Sequence, residues 1–175
     1  MSKNRRSLSA AKVGKTSLIA RFQKDQFDVS VLETVAMDLI ILNISLSEQA
    51  LRLAICDCSG KDRYWYLVPQ FTRDAPVIVA VYDVTSEKSL DEALRMIKGQ
   101  VEQAKVKSMV FLVGNKTDQE GGRKVSAPAG EEAAKARGYV FVETSAMTGE
   151  NVRWLFEEIT RRHLESEKGG KSFET

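Results

Sequence analysis

Thiol and imidazole are scarce in this sequence, which has two cysteines, Cys56 and Cys58, and a single histidine, His163. The cysteines lie too close together for a structural disulfide, and a lone histidine supplies no zinc-ligand set. That usage suits a reducing, cytosolic compartment, with packed rather than reactive thiols. No apolar run approaches the length of a membrane span. The start, Met1–Arg6, is basic but lacks the apolar stretch of a secretory signal. A net charge of +2 makes no case for nucleic acid or an anionic membrane as the main partner. The closing Phe-Glu-Thr offers no cysteine for a prenyl group. What is present is ordinary: 175 residues, 43% hydrophobic and 29% charged, enough for one domain with a substantial core.

The stretch Ser9–Ser17, SAAKVGKTS, organises the rest. Gly14-Lys15-Thr16-Ser17 has the form of a phosphate-binding loop that opens a helix. Backbone N–H groups there can hold phosphate oxygens, with the helix dipole assisting. Lys15 would reach the terminal phosphates and the Thr16 hydroxyl would ligate Mg²⁺. The full motif places another glycine five residues before Gly14, where this chain has Ser9.

Leu18, Ile19 and Phe22 continue at helical spacing, predicting a short helix over Lys15–Lys24. Two strands are expected at Met37–Leu46 and Leu51–Asp57, joined by a polar turn at Ser47-Glu48-Gln49. Val77–Val84 and Met109–Val113 are apolar on both faces, as buried parallel strands are, and Tyr139–Val142 is a shorter example. Helices are expected at Ser89–Ala104, at Ala127–Arg137 and at Asn151–Glu165. Strands alternating with helices imply an α/β fold with a mainly parallel sheet. One usual feature is missing from this pattern. A phosphate loop normally follows a buried strand, and Lys3-Asn4-Arg5-Arg6-Ser7-Leu8 does not read as one, because unpaired arginines in a sheet centre would cost several kcal/mol each.

Three further segments fall at strand ends. Asp57-Cys58-Ser59-Gly60 places a carboxylate where it can hold Mg²⁺ through water, and Gly60 lets a backbone N–H approach a terminal phosphate. Asn115-Lys116-Thr117-Asp118 offers an Asp carboxylate to the N1–H and 2-amino donors of guanine, a pair that adenine lacks. Lys116 would lay its aliphatic stem along the ring. Glu143-Thr144-Ser145-Ala146 follows, with backbone N–H groups that could meet the guanine carbonyl. Thr34, in the loop after the first helix, is free to swing onto Mg²⁺ when a terminal phosphate is present.

The order of these segments resembles the Ras-like small GTPases, and within them the Rab family, over roughly Val13–Leu164. The carriers are VGKTSLIARF (Val13–Phe22), VYDVT (Val81–Thr85), GNKTD (Gly114–Asp118) and the ETSA run. The resemblance implies a three-layer α/β/α domain of the P-loop NTPase, small-GTPase type over residues 1–165, followed by a flexible Lys/Glu/Gly/Ser-rich tail over 166–175. It implies GTP or GDP with Mg²⁺ as cofactors. Val13, Gly14, Lys15, Thr16, Ser17, Phe27, Thr34, Asp57, Gly60, Asn115, Lys116, Asp118, Ser145 and Ala146 would bind the nucleotide. Phe27 would pack edge-on against the base, and Thr16, Thr34 and Asp57 would serve the metal. Loops Val29–Met37 and Gly60–Ala75 would be the switches that meet effectors, exchange factors and activating factors. A monomeric cytoplasmic protein is implied, peripheral on endomembranes where the full-length protein carries a lipid site, with a role in vesicle traffic.

The departures bear on catalysis, for which Lys15, Thr34, Gly60 and Lys61 are the candidates. Lys61 stands where the family has a glutamine that positions the attacking water, and a lysine has donors but no acceptor. Lys12 replaces a loop glycine and would crowd the space that an arginine finger needs. Both changes predict slow hydrolysis through loss of positioning. Met147 replaces a lysine near the base. Leu39 and Cys56 replace aromatics, and Phe71 a tyrosine, on the effector-facing patch. His163 is expected to be a partly exposed helix residue and Trp154 to pack, while Trp65 and Tyr66 suit core or partner equally. The alternative function is a GTPase-shaped interaction module with impaired or no nucleotide binding.

Overall fold

The computed structural model describes residues 3–8, 12–28, 30, 32, 34–46, 49–60 and 73–169, with the backbone alone for 3–8, 103, 168 and 169. Its elements in chain order are β1 (Lys3–Leu8), α1 (Lys15–Lys24), β2 (Met37–Leu46), β3 (Gln49–Cys58), β4 (Val77–Asp83) and α2 (Glu87–Gln103). They continue with β5 (Met109–Asn115), α3 (Ala127–Lys135), β6 (Val140–Thr144) and α4 (Val152–Gly169). The strands form one six-stranded sheet in the order β2-β3-β1-β4-β5-β6. Only β2 runs antiparallel, against β3; the other pairings are parallel.

The sheet has a separate hydrophobic core on each face. On one, Leu18 and Ile19 of α1 and Leu155, Phe156 and Ile159 of α4 pack on Leu53, Ile55, Val77 and Val81. On the other, Ala93, Met96 and Ile97 of α2 and Ala134 of α3 pack on Ile78, Ala80, Tyr82 and Leu112. Alternate residues of β4 therefore serve opposite cores, which is why that strand is apolar throughout. The result is the expected three-layer α/β/α sandwich. Helix starts follow local chemistry: the Ser86 hydroxyl accepts from Ser89 N at α2, and the Ser126 hydroxyl from Ala129 N at α3.

The start of the chain corrects the expectation drawn from its composition. Lys3–Leu8 is a strand at the centre of the sheet, with Arg5 opposite Ile55 and Ser7 opposite both Asp57 and Val79. The physical reason is the backbone ladder. β3 and β4 both present inward edges of N–H and C=O groups, which would be buried without partners unless a strand lay between them. Any stretch without proline, Lys3–Leu8 included, can supply those backbone partners. The phosphate loop thus does follow a strand, as the geometry of such loops requires.

Three smaller expectations also change. Helix α4 runs on through Gly169, into the segment expected to be a flexible tail. His163 is buried, at 5% exposure, and its Nε2 lies 3.5 Å from Glu167 Oε1. Trp154 is 46% exposed rather than packed. Cys56 and Cys58 are both buried thiols. Among the described residues no helix is long and apolar enough to cross a membrane.

Candidate functional site

Five parallel strands deliver polar residues to one edge of the sheet. Ser7 of β1 is the register partner of Asp57 at the end of β3, Asp83 ends β4 opposite Asn115, and Asn115 ends β5 opposite Thr144. This carboxyl edge is where α/β sheets form their ligand crevice.

The phosphate loop enters α1 through Gly14, which has a left-handed φ of 92° and offers no side-chain cap. The N–H groups of the helix's first turn face outward at its electropositive end. Glycine is required here for space as well as for conformation: an added Cβ would lie 2.4 Å from Asn115 Nδ2. That same amide nitrogen donates to the Val13 carbonyl at 2.8 Å. Asn115 Oδ1 accepts from Thr144 Oγ1 and from Ala146 N, each at 3.2 Å. Asn115 therefore ties the phosphate loop, β5, β6 and the ETSA loop together from a position 1% exposed. Lys12 adopts a left-handed φ of 64°, a conformation that favours the glycine it replaces.

Lys15 is buried at the start of α1. Burial pushes its pKa down, opposed by the negative charge of Asp57 and by Cys58. Thr16, Thr34 and Asp57 meet beside it. The Thr16 and Thr34 hydroxyls donate to Asp57 Oδ2 at 2.5 and 3.0 Å and lie 2.8 Å from each other. The loop carrying Thr34 is fastened to the end of β3 by Ser59 N donating to Ala36 O at 2.9 Å. Asp57 is fully buried, and burial raises its carboxyl pKa against the lowering effects of Thr16, Lys15 and Thr34. Its Oδ1 is buried with no hydrogen-bond partner among the described residues. Two hydroxyls and a carboxylate with an unpaired oxygen form a hard, all-oxygen donor set, which fits Mg²⁺ with water completing its shell.

At the other end of the edge, Ser145 Oγ donates to Asp118 Oδ1 at 2.5 Å and accepts from Thr148 N at 3.0 Å. The Ser145 N–H is bonded to Glu150 O at 3.1 Å. Together with the long Ala146 bond to Asn115, this leaves both amides with partners inside the protein. Lys116, at φ 71°, places Nζ 2.6 Å from Asp83 Oδ2. Asp83 Oδ1 accepts from Thr85 N and Oγ1 at 2.9 and 2.7 Å. Burial would raise the Asp83 pKa, but the Lys116 and Thr85 bonds hold it below the usual carboxylate range. Phe27 is 40% exposed, available to a ligand. Gly60 ends the described segment that leaves β3.

Of the sequence candidates, the structure gathers Val13, Gly14, Lys15, Thr16, Thr34, Asp57, Asn115, Lys116, Asp118, Ser145 and Ala146 along one edge. Lys61, Ser9, Trp65, Tyr66 and Phe71 lie outside the described residues. Asp83, inside the VYDVT run, was given no role of its own, although a carboxylate at a strand's end is the signal that identified Asp57. Thr85 and Thr144, which brace this edge, lie in the VYDVT and ETSA runs but had no role assigned to them individually. Of the residues expected to face effectors, Leu39 is 57% exposed and Cys56 is buried; Leu32 and Val35, in the loop before β2, are more exposed still. A family model described as the Ras family matches residues 8–165.

Proposed function

This chain belongs to the Ras family, whose members are nucleotide-binding switches that take guanine nucleotide with Mg²⁺, and from that premise we propose that it is a Rab-like GTPase with slow hydrolysis, acting in vesicle traffic. One observation carries the reading. Thr16, Thr34 and Asp57 converge beside buried Lys15, and Asn115 links Val13 of the phosphate loop to Thr144 and Ala146, whose neighbour Ser145 bonds Asp118 at the far end of the same edge. A nucleotide laid along this edge has its phosphates at the start of α1 and its base at Asp118.

In this reading Val13, Gly14, Lys15, Thr16 and Ser17 enclose the phosphates, with Lys15 placing its charge on the terminal ones. Asp118 accepts from the guanine N1–H and 2-amino groups, which adenine cannot match. Ser145 holds Asp118 in place, and the long Ala146 N–H bond can be shared with the guanine carbonyl. Phe27 and the Lys116 stem cover the ring. Thr16, Thr34 and Asp57 would hold Mg²⁺, which supplies charge neutralisation for the β- and γ-phosphates. Hydrolysis is in-line: a water oxygen bonds to the γ-phosphorus, the bond to the β–γ bridging oxygen breaks, and GDP and phosphate leave. Lys15 stabilises charge in that transition state. Lys61 has no acceptor for the water's proton, so positioning is weak and the rate low.

Thr34 and Gly60 closing on the γ-phosphate would present Leu32, Val35 and Leu39 to an effector. The test is thermal melting with and without GTP and Mg²⁺. Ligand at a hundred times its Kd should add about 2.7 kcal/mol of stability. No shift at millimolar nucleotide would contradict the proposal and support a nucleotide-independent interaction module.

A further inference from the structure

We propose that Asp83 is a positioning residue for the base-binding end, anchoring the Lys116 ammonium so that the lysine stem is held where the purine face lies. The inference rests on the nucleotide reading above and adds a residue to which that reading gives no role. Lys116 is the first residue beyond β5, and its φ of 71° turns the chain out of the sheet. Its Nζ is 2.6 Å from Asp83 Oδ2. Asp83 and Asn115 are register partners, so the stem has only about one strand spacing, ~4.8 Å, to cross.

The carboxylate cannot follow a moving lysine. Thr85 fixes Oδ1 through both its N–H and its hydroxyl, and Asp83 N donates to Ser89 Oγ at 3.0 Å. The lysine must therefore come to the carboxylate, which selects one extended arrangement of an otherwise flexible side chain. The Asp83 side chain is 12% exposed, whereas Lys116 keeps 29%, leaving part of it open to a ligand. A purely structural role is the weaker explanation. β4 and β5 are already joined along seven register pairs and buried in both cores, so an ion pair at their tips adds little to the fold.

Preorganising a ring-face contact affects every purine alike, because the face does not carry the base's hydrogen-bonding pattern. The test measures Kd for GDP and for inosine diphosphate, which lacks the 2-amino group, with the full chain and Mg²⁺. Asp83→Asn should weaken both on the order of tenfold, with their ratio unchanged and the nucleotide-free melting temperature retained. Lys116→Met, which keeps the stem and loses the charge, should weaken both by a similar factor. Adding Asp83→Asn to it should then cost nothing more.

Wild-type affinity in Asp83→Asn, or losses that add in the double variant, would overturn the proposal. Should Asp83→Asn fail to fold, Lys116→Met decides alone: wild-type affinity refutes the anchor, and a tenfold loss with unchanged nucleotide-free melting supports it. If the wild-type chain binds neither nucleotide, the parent reading falls and this one with it. Normal wild-type binding beside an indifferent Asp83→Asn removes only this one.

Discussion

Gly14→Ala tests whether the phosphate loop is locked by Asn115 or merely sits near it. The substitution acts twice. A residue with a Cβ held at the left-handed φ of 92° is strained by about 1–2 kcal/mol. The new carbon would also lie 2.4 Å from Asn115 Nδ2, so the amide must move. At 1% exposure Asn115 has no solvent to turn into. Moving it forfeits the bond to Val13 O and those received from Thr144 Oγ1 and Ala146 N. Each is worth about 1 kcal/mol net, and a buried group left unpaired adds about 1–3 kcal/mol. Allowing for partial relaxation, the total is about 3–5 kcal/mol, a large share of a typical domain's 5–15 kcal/mol. The assay is urea unfolding of the nucleotide-free full chain, so that lost ligand binding does not enter. Gly99→Ala is the control, because a Cβ on that α2 residue meets nothing within 4 Å. It should gain about 0.5–1 kcal/mol. A Gly14→Ala loss below about 1 kcal/mol would refute the lock.

Other outcomes follow from single groups. Asp57→Asn should raise the melting temperature of the nucleotide-free protein at neutral pH while abolishing any stabilisation by Mg²⁺ with GDP. The Asp57 carboxyl is held above its ordinary pKa, so its folded form binds a proton more readily and stability falls as pH rises through that window. A pH–stability profile unchanged in Asp57→Asn would count against this. Tyr82→Phe should be neutral to stabilising by about 1 kcal/mol in chemical unfolding, since the buried Tyr82 hydroxyl has no hydrogen-bond partner among the described residues; a loss of that size would reveal a partner. Hydrogen bonds from Arg161, opposed by burial and joined by Arg162, lower the Glu158 pKa from 4.5 to about 2. That contribution is complete above 4.5 and fades as pH falls towards 2, so Glu158→Gln should flatten acid unfolding across that range. Lys61→Gln should speed single-turnover GTP hydrolysis, and an unchanged, family-typical rate would show that Lys61 does not limit it.

The sequence revealed most where one property decided an element. β4 and β5 were legible because burial on two faces leaves room only for apolar residues, and β2 and β3 because alternation marks a strand. β1 was not legible, because its place is set by the ladder edges of β3 and β4 rather than by its own composition. His163, Thr160 and Glu158 are polar types that α4 nonetheless buries, and no local pattern distinguishes them from exposed ones. Asp57, Asn115, Asp118 and Ser145 stood out because each lies at or just beyond a strand's carboxyl end, and the phosphate loop by its own Gly-Lys-Thr-Ser pattern. What binds them together did not. Asn115 reaches Val13 across 102 residues of chain, and Lys116 reaches a carboxylate on a different strand. Such pairings exist only once register is set.

The central claim is that one sheet edge seats a guanine nucleotide with its metal. The nucleotide content of the freshly purified full chain, read by denaturing it and separating what is released, tests this most directly. The account predicts GDP or GTP in near-stoichiometric amount, released by chelating Mg²⁺ and recovered on adding both back. Protein that is free of guanine nucleotide, and stays so after incubation with millimolar GDP and Mg²⁺, would contradict it.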